Sequence, residues 1–352
     1  MKQLITLLCF LTIIFGSTSF SYAETEKGKF FGAKETEYPS WFKNSFLDLK
    51  EDVAEAAQEG KRLLIFFHQD GCPYCNALVD RNLAQKDIQE KVRKHFDVVS
   101  INMWGDREVI DFDGTTYSEK TFAAKMRVQF TPTLVFFNES QEVVLRLNGY
   151  RSPDRFTHDL DYVALKKEKE FSYRDYIKAN FKENSSSKKL HSENFFSANF
   201  DLTRKGKKPV AVFFEQKDCP NCDILHTKVL PDKTTQDIIA KFDVVQLDMW
   251  STTPVTTPKG KKTTAKTWAK EINIQFAPSI VIFNELGEEI IRSEAFFKNF
   301  HTQSIFDYVL SGAYKKEPSF QRYLSERAEH LRESGKNVDI WRFADEAPGE
   351  RK

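Results

Sequence analysis

The chain repeats itself, and this restricts its fold more than any other feature. Residues 64–75 read LIFFHQDGCPYC and residues 210–222 read VAVFFEQKDCPNC, so the second Cys pair follows the first by 147 positions. Residues 96–104 (FDVVSINMW) recur at 242–250 as FDVVQLDMW, and residues 128–138 (VQFTPTLVFFN) recur at 274–284 as IQFAPSIVIFN, both at an offset of 146. Blocks that return in the same order mark a duplicated domain. A length of 352 residues allows two domains, each able to bury its own core.

The boundary follows from composition. Residues 182–192 read KENSSSKKLHS, polar and Ser-rich without periodicity, which predicts a flexible linker over 182–190. The first domain is expected over 36–181 and the second over 191–341, with loose ends at 24–35 and 342–352. The chain opens with Lys2, an apolar run over 4–15 and the small-residue site Ser21-Tyr22-Ala23. That pattern predicts a secretory signal over 1–23, cleaved near Ala23 and taking Cys9 with it. The run is too short for a stable membrane anchor, so the expected location is the periplasm, with no anchor after cleavage. With 52 Lys and Arg against 51 Asp and Glu, no charge excess points to a nucleic-acid partner.

Each repeat reads as an α/β unit. The apolar runs at 63–67 and 210–214 suit strands buried on both faces. Helical stretches are predicted over 76–95 and 223–241, then strands over 97–103 and 243–249. Two further strands with a turn between them are predicted at 133–137 and 142–147, and again at 279–283 and 288–292. A closing helix completes the order β-α-β-α-β-β-α, a mixed sheet flanked by helices. Phe320, Tyr323, Leu324, Ala328 and Leu331 lie at helical spacing and are expected to pack a tail helix on the second domain.

Four of the five Cys form two C-x-x-C pairs, Cys72/Cys75 and Cys219/Cys222. A pair that closes so short a loop stabilises little, so reactive use is expected. Cys72 and Cys219 fall where a strand gives way to a helix, and helix N-terminal amides favour a thiolate there. Pro73 and Pro220 suit an early helix position. Cys75 and Cys222, one turn on, are expected to be more buried and to resolve a mixed disulfide.

The strand, the CPYC or CPNC element and the later Thr131-Pro132 and Ala277-Pro278 resemble the thioredoxin fold. The resemblance implies two tandem thioredoxin-like domains. It also implies cis Pro132 and Pro278 facing the reactive pairs, and substrate contacts from Pro73, Tyr74, Thr131, Pro132, Pro220, Asn221, Ala277 and Pro278. FFHQDGCPYC (66–75), WGDREVIDFDGTTYSEK (104–120), FTPTLVFF (130–137), LRLNGYRSP (145–153) and the tail GAYKKEPSFQRYLSERAEHLR (312–332) are most similar to the periplasmic thioredoxin-like proteins of sulfur-oxidation gene clusters (SoxW-like). That likeness implies a reductase of protein disulfides fed by a membrane thiol-electron transporter, with no cofactor beyond the dithiols.

The sequence departs from ordinary thioredoxins at the acid six residues before the first Cys, where Phe66 and Phe213 stand. His68 and Glu215, four residues before each first Cys, are candidate proton acceptors; the plainer alternative is a surface residue at a strand end. Between the second strand and the next helix, residues 105–118 carry four acids and one Arg, and residues 251–264 carry three Lys. Both inserts read as hairpins turning at Asp113-Gly114 and Lys259-Gly260, expected beside the C-x-x-C element, where their opposite charge would select different partners. A disulfide oxidase or isomerase, or a peptide-binding chaperone-like module with secondary redox activity, remain as alternatives, because sequence does not set redox direction.

Overall fold

The computed structural model describes residues 26–182, 185–204 and 208–346. The expected signal, its cleavage site and Cys9 lie outside the described residues. No helix among those described is long and apolar enough to cross a membrane.

The chain runs β1 (Phe30–Phe31), α1 (Leu49–Gln58), β2 (Arg62–His68), α2 (Pro73–Ala77), α3 (Lys86–His95), β3 (Phe96–Asn102), β4 (Glu108–Ile110), β5 (Thr116–Ser118), α4 (Glu119–Lys125), β6 (Thr133–Phe137), β7 (Val143–Asn148), α5 (Pro153–Ala164) and α6 (Tyr173–Asn180). The second half follows as β8 (Val210–Glu215), α7 (Pro220–Ile224), α8 (Lys233–Ile239), β9 (Asp243–Asp248), β10 (Pro254–Thr256), β11 (Lys262–Thr264), α9 (Ala265–Glu271), β12 (Ser279–Phe283), β13 (Glu289–Ser293), α10 (Asn299–Leu310), α11 (Phe320–Glu333) and β14 (Val338–Asp339).

Each half forms a mixed four-stranded sheet, in the orders β3-β2-β6-β7 and β9-β8-β12-β13. β2 pairs parallel with β3 and antiparallel with β6, and β8 repeats this with β9 and β12. Every residue of β2, β6, β8 and β12 is buried, as continuous apolar runs require when helices cover both faces. The single helical stretch expected after each Cys pair is broken. A short α-helix passes into a π-helical segment (Leu78–Leu83 and Leu225–Val229), and a new helix starts after Gln85 or Asp232. Helix α1 was not anticipated; Asp48 caps it and Leu49, Val53 and Ala56 form its buried stripe.

Three expectations need correction. Residues 24–35 are not wholly loose, because β1 pairs parallel with β14 and joins the two ends of the chain. The linker is not free either: Ser185 Oγ and Ser186 N donate to Asp223 Oδ2 at 2.9 and 2.8 Å. The inserts do form the β4-β5 and β10-β11 hairpins, but their tips do not stand by the Cys pairs. Phe112 lies 4.9 Å from Phe137, the last residue of β6, and Lys259 Nζ donates to Leu286 O beyond the end of β12. Parallel strands put only the start of each insert at the Cys edge. The chain then turns back at Trp104 or Trp250 and runs to the opposite edge.

The two domains meet as an internal dimer. Asn148 Nδ2 donates to Glu294 Oε2 at 3.0 Å, and these two residues are themselves repeat equivalents at the offset of 146. Phe130 stacks on Phe297 at 4.9 Å, while the equivalent pair places the Arg151 guanidinium 4.1 Å from the Phe276 ring. A contact between i and j′ matched by one between i′ and j defines a two-fold, self-complementary interface. Gly149 sits near its axis with φ +72°, and a Cβ there would approach Ala295 Cβ to 2.5 Å. One hydrophobic cluster runs from Phe66 and Phe156 through Phe130, Phe297 and Phe320 to Phe213 and Phe306.

Candidate active sites

Strand β2 delivers the chain to Gly71, whose positive φ of +68° turns it into α2. Cys72 is the N-cap of that helix, and its Sγ accepts from Cys75 N at 3.0 Å. Pro73 occupies the first helical position, where a missing N–H costs nothing. Cys219 caps α7 in the same way, with Cys222 N donating to its Sγ at 3.1 Å. Each pair is closed as a disulfide. The Thr131-Pro132 and Ala277-Pro278 peptides are both cis, and the carbonyls of Thr131 and Ala277 lie 3.6 and 3.5 Å from Cys72 and Cys219 Sγ. The two sites differ at this point. Thr131 Oγ1 donates to Cys72 Sγ at 3.3 Å, and Ala277 has no hydroxyl to do so.

The expected gradient of burial is absent. Cys72 and Cys75 are 3% and 0% exposed, and Cys219 and Cys222 are 1% each. At the first site the other domain closes over the Cys-bearing turn, whereas Cys219 is buried among residues of its own domain. Tyr74 is buried against Phe297, His301 and Trp341 at 5.5, 5.3 and 4.9 Å, and its hydroxyl accepts from Lys298 N. Expected as a substrate contact, Tyr74 is therefore an anchor of the domain interface. Pro73, Pro132 and Pro278 are also buried, whereas Pro220 and Asn221 keep partial exposure. The ends of the chain add to this asymmetry: Lys34 N donates to Gly71 O, and Trp341 closes on Tyr74.

Tail helix α11 packs on its own domain through Phe320 and Tyr323 against Tyr308, as expected, but it also crosses to the first site. Gln321 Oε1 accepts from Gln69 Nε2 at 3.0 Å, Gln321 Nε2 donates to Gln129 O, and Arg322 lies over Trp104. Helix α6 mirrors this on the second site. Arg174 Nη2 donates to Met249 O at 2.7 Å, and Arg174 and Lys178 lie 4.3 and 4.0 Å from the Trp250 ring. Trp104 and Trp250 each donate Nε1 to Gln69 or Gln216 beneath the opposing helix.

Neither candidate proton acceptor is at the surface. His68 is 8% exposed, with its ring 4.3 Å from Tyr38. Burial pushes its pKa down to about 4, against the charges of Glu119 and Asp70. Its Nδ1 finds no hydrogen-bond partner among the described residues. Glu215 is fully buried and accepts from His226 Nε2 and Gln246 Nε2 at 3.1 and 3.0 Å. Glu193 takes the other ring nitrogen of His226 at 2.8 Å. Burial opposes the charged ring, but the bonds and charges of Glu215 and Glu193 outweigh it, so the His226 pKa is raised. His226 and Glu193 were missed in the sequence. The one available signal was that His226 lies four residues, one helical turn, after Cys222. Among the described residues no group of three or more His, Cys, Asp or Glu is placed to hold a metal ion.

Paired cysteines at a helix start, facing the carbonyl that precedes a cis proline on a mixed α/β sheet, define a class of thiol–disulfide exchange proteins. The chain belongs to the thioredoxin-like domain family, whose model matches residues 49–164 and 183–309. It is similar to a thioredoxin-fold protein from Helicobacter pylori at 23% identity, covering 34% of this chain and 80% of that one, with a TM-score of 0.30. A thioredoxin from Thermus thermophilus matches at 23% identity, covering 40% and 89%, with a TM-score of 0.27. The DsbD C-terminal domain from Neisseria meningitidis, in its oxidised form, matches at 14% identity, covering 36% and 97%, with a TM-score of 0.26. Among curated protein sequences, none matches the chain.

Proposed function

We propose that the protein is a periplasmic thiol–disulfide oxidoreductase of the SoxW-like kind, reducing substrate disulfides at two sites. The observation that carries this reading is the capping geometry. In each domain the first Cys sulfur receives an amide N–H from the second Cys at 3.0 or 3.1 Å and faces a cis-proline loop. An amide aimed at sulfur stabilises the thiolate, the form that attacks a disulfide. Cys72 or Cys219 attacks and Cys75 or Cys222 resolves, leaving the enzyme disulfide. The dithiols carry the electrons, so no bound cofactor is needed. A membrane thiol-electron transporter would restore them, and disulfide-bearing proteins are the proposed partners. Glu215, hydrogen-bonded to His226, is the proposed proton acceptor of the second domain, and His68 that of the first.

The test is capture. Cys75→Ser and Cys222→Ser variants expressed with the natural leader should accumulate mixed disulfides with periplasmic proteins through Cys72 and Cys219. A reduction potential below that of the glutathione couple is the expected sign of a reductase. Absence of trapped species from both variants overturns the exchange reading, and a potential far above glutathione reverses the direction.

A further inference from the structure

We propose that the cavity beside Cys219 is an anion-selective site for small disulfides carrying carboxylate groups. This rests on reading Cys219 and Cys222 as an exchanging pair. The cavity has a volume of about 500 Å³ and is lined by Asp218, the residue before Cys219, and by Ala277, whose carbonyl lies 3.5 Å from the Cys219 sulfur. That size suits a small molecule. Helix α6 contributes Arg174, Ile177 and Lys178 to the cavity wall.

Six basic side chains line this cavity, against the two acids Asp218 and Asp248, and one of the six, Arg155, is paired with Asp159. Lys188 is paired with Asp218 at 2.8 Å. Lys178, Lys182 and Lys217 add charge from the rim. Arg174 is 8% exposed, and its Nε and Nη1 find no hydrogen-bond acceptor among the described residues. A buried guanidinium at a cavity wall with two unpaired donors suits an oxyanion, which would satisfy donors left without a partner.

The repeat supplies an internal control. At an offset of 147, Arg174, Ile177, Lys178 and Phe181 correspond to Gln321, Leu324, Ser325 and Ala328. Those four residues line the cavity of about 240 Å³ above Cys72. The fold thus places the same helix positions over both sites, yet the first carries Gln and Ser where the second carries Arg and Lys. The charge difference that the hairpin inserts lost by pointing away is present in the tail helices.

The step balances as ordinary exchange. The Cys219 thiolate attacks one sulfur of R–S–S–R, forming the Cys219–S–S–R bond and releasing one thiolate. The Cys222 thiolate then attacks the Cys219 sulfur and releases the second. Two electrons pass from the protein dithiol to the substrate, and an added dithiol reductant restores the protein.

Two single-site proteins test this, Cys72→Ser/Cys75→Ser and Cys219→Ser/Cys222→Ser. Each is reduced with dithiothreitol, freed of it, and mixed with oxidised glutathione (anionic), bis(2-hydroxyethyl) disulfide (neutral) or cystamine (cationic). The anionic-to-neutral rate ratio should be about tenfold higher at the second site and should fall with salt. Arg174→Gln/Lys178→Ser should bring that ratio down to the first site's value. Gln321→Arg/Ser325→Lys should raise the ratio at the first site. Equal ratios at the two sites, or ratios unmoved by salt and by both substitutions, overturn the proposal. Glutathione sulfonate, which cannot exchange, supplies a second measurement by calorimetry on the oxidised wild-type protein. If it binds, and Arg174→Gln/Lys178→Ser abolishes binding, while neither site reduces the neutral disulfide, the anion site stands and the exchange reading fails.

Discussion

Replacing Thr131 by Ala removes one hydrogen bond from the Cys72 sulfur and leaves the other. The hydroxyl lies 3.3 Å from Cys72 Sγ, and the Cys75 amide at 3.0 Å is untouched by the change. A hydrogen bond to a charged group contributes roughly 1.5–3 kcal/mol, and the long O–H···S distance favours the lower end. About 1.4 kcal/mol corresponds to one pKa unit, so the Cys72 thiol should rise by about one unit in Thr131→Ala. The same energy, lost from the reduced form, should make the couple more reducing by about 30 mV. The assay is a pH titration of thiolate ultraviolet absorbance in the Cys219→Ser/Cys222→Ser background. Thr131→Ser, which keeps the hydroxyl, should stay at the parent value. In the other single-site protein, Ala277→Thr should lower the Cys219 thiol by a similar amount. An unchanged Cys72 titration in Thr131→Ala would refute the hydrogen-bond argument, because the amide alone would then hold the thiolate.

Tyr74→Ala removes an aromatic anchor packed on Phe297, His301 and Trp341, and should cost about 3–5 kcal/mol in urea denaturation while speeding alkylation of reduced Cys72. A loss below about 1 kcal/mol with no change in alkylation would show that the interface does not cover that sulfur. Burial holds His301 at a pKa of about 4, below the unfolded value of about 6.5, so the unfolded chain takes up the proton first. Stability should therefore fall as pH drops from about 6.5 to 4, by up to roughly 3 kcal/mol, and His301→Gln should lose less over that window. His226 behaves in the opposite sense. Its raised pKa gives a stabilisation present below about 6.5 and lost as pH rises through the folded value. Melting temperature against pH should show this loss in the wild type, and Glu215→Gln should flatten it.

Much of each domain was legible because it is written locally. The strands 133–137 and 279–283 agree with β6 and β12 residue for residue, since a short apolar run beside a Pro has few other places to go. Cys72 and Cys219 were recognisable as helix caps for the same reason: strand end, Pro and spacing lie within a few residues. Asp113-Gly114 and Lys259-Gly260 mark the inserts as hairpins, but a turn signal says nothing about which edge the hairpin reaches, and the structure carries both tips away from the Cys pairs.

What the sequence determined by itself is therefore the duplicated module, its strand and turn chemistry, and the pairing of reactive sulfurs. What only the tertiary structure decided is how the modules face each other. The stack of Phe130 on Phe297, the burial of Tyr74, and the closure of α6 and α11 over the opposite sites join residues 75 or more positions apart. Such contacts depend on complementary surfaces formed once both domains have folded, and no periodicity or spacing in one chain encodes them. The same holds for Glu215, which reads as an exposed strand end until His226 and Gln246 are brought against it.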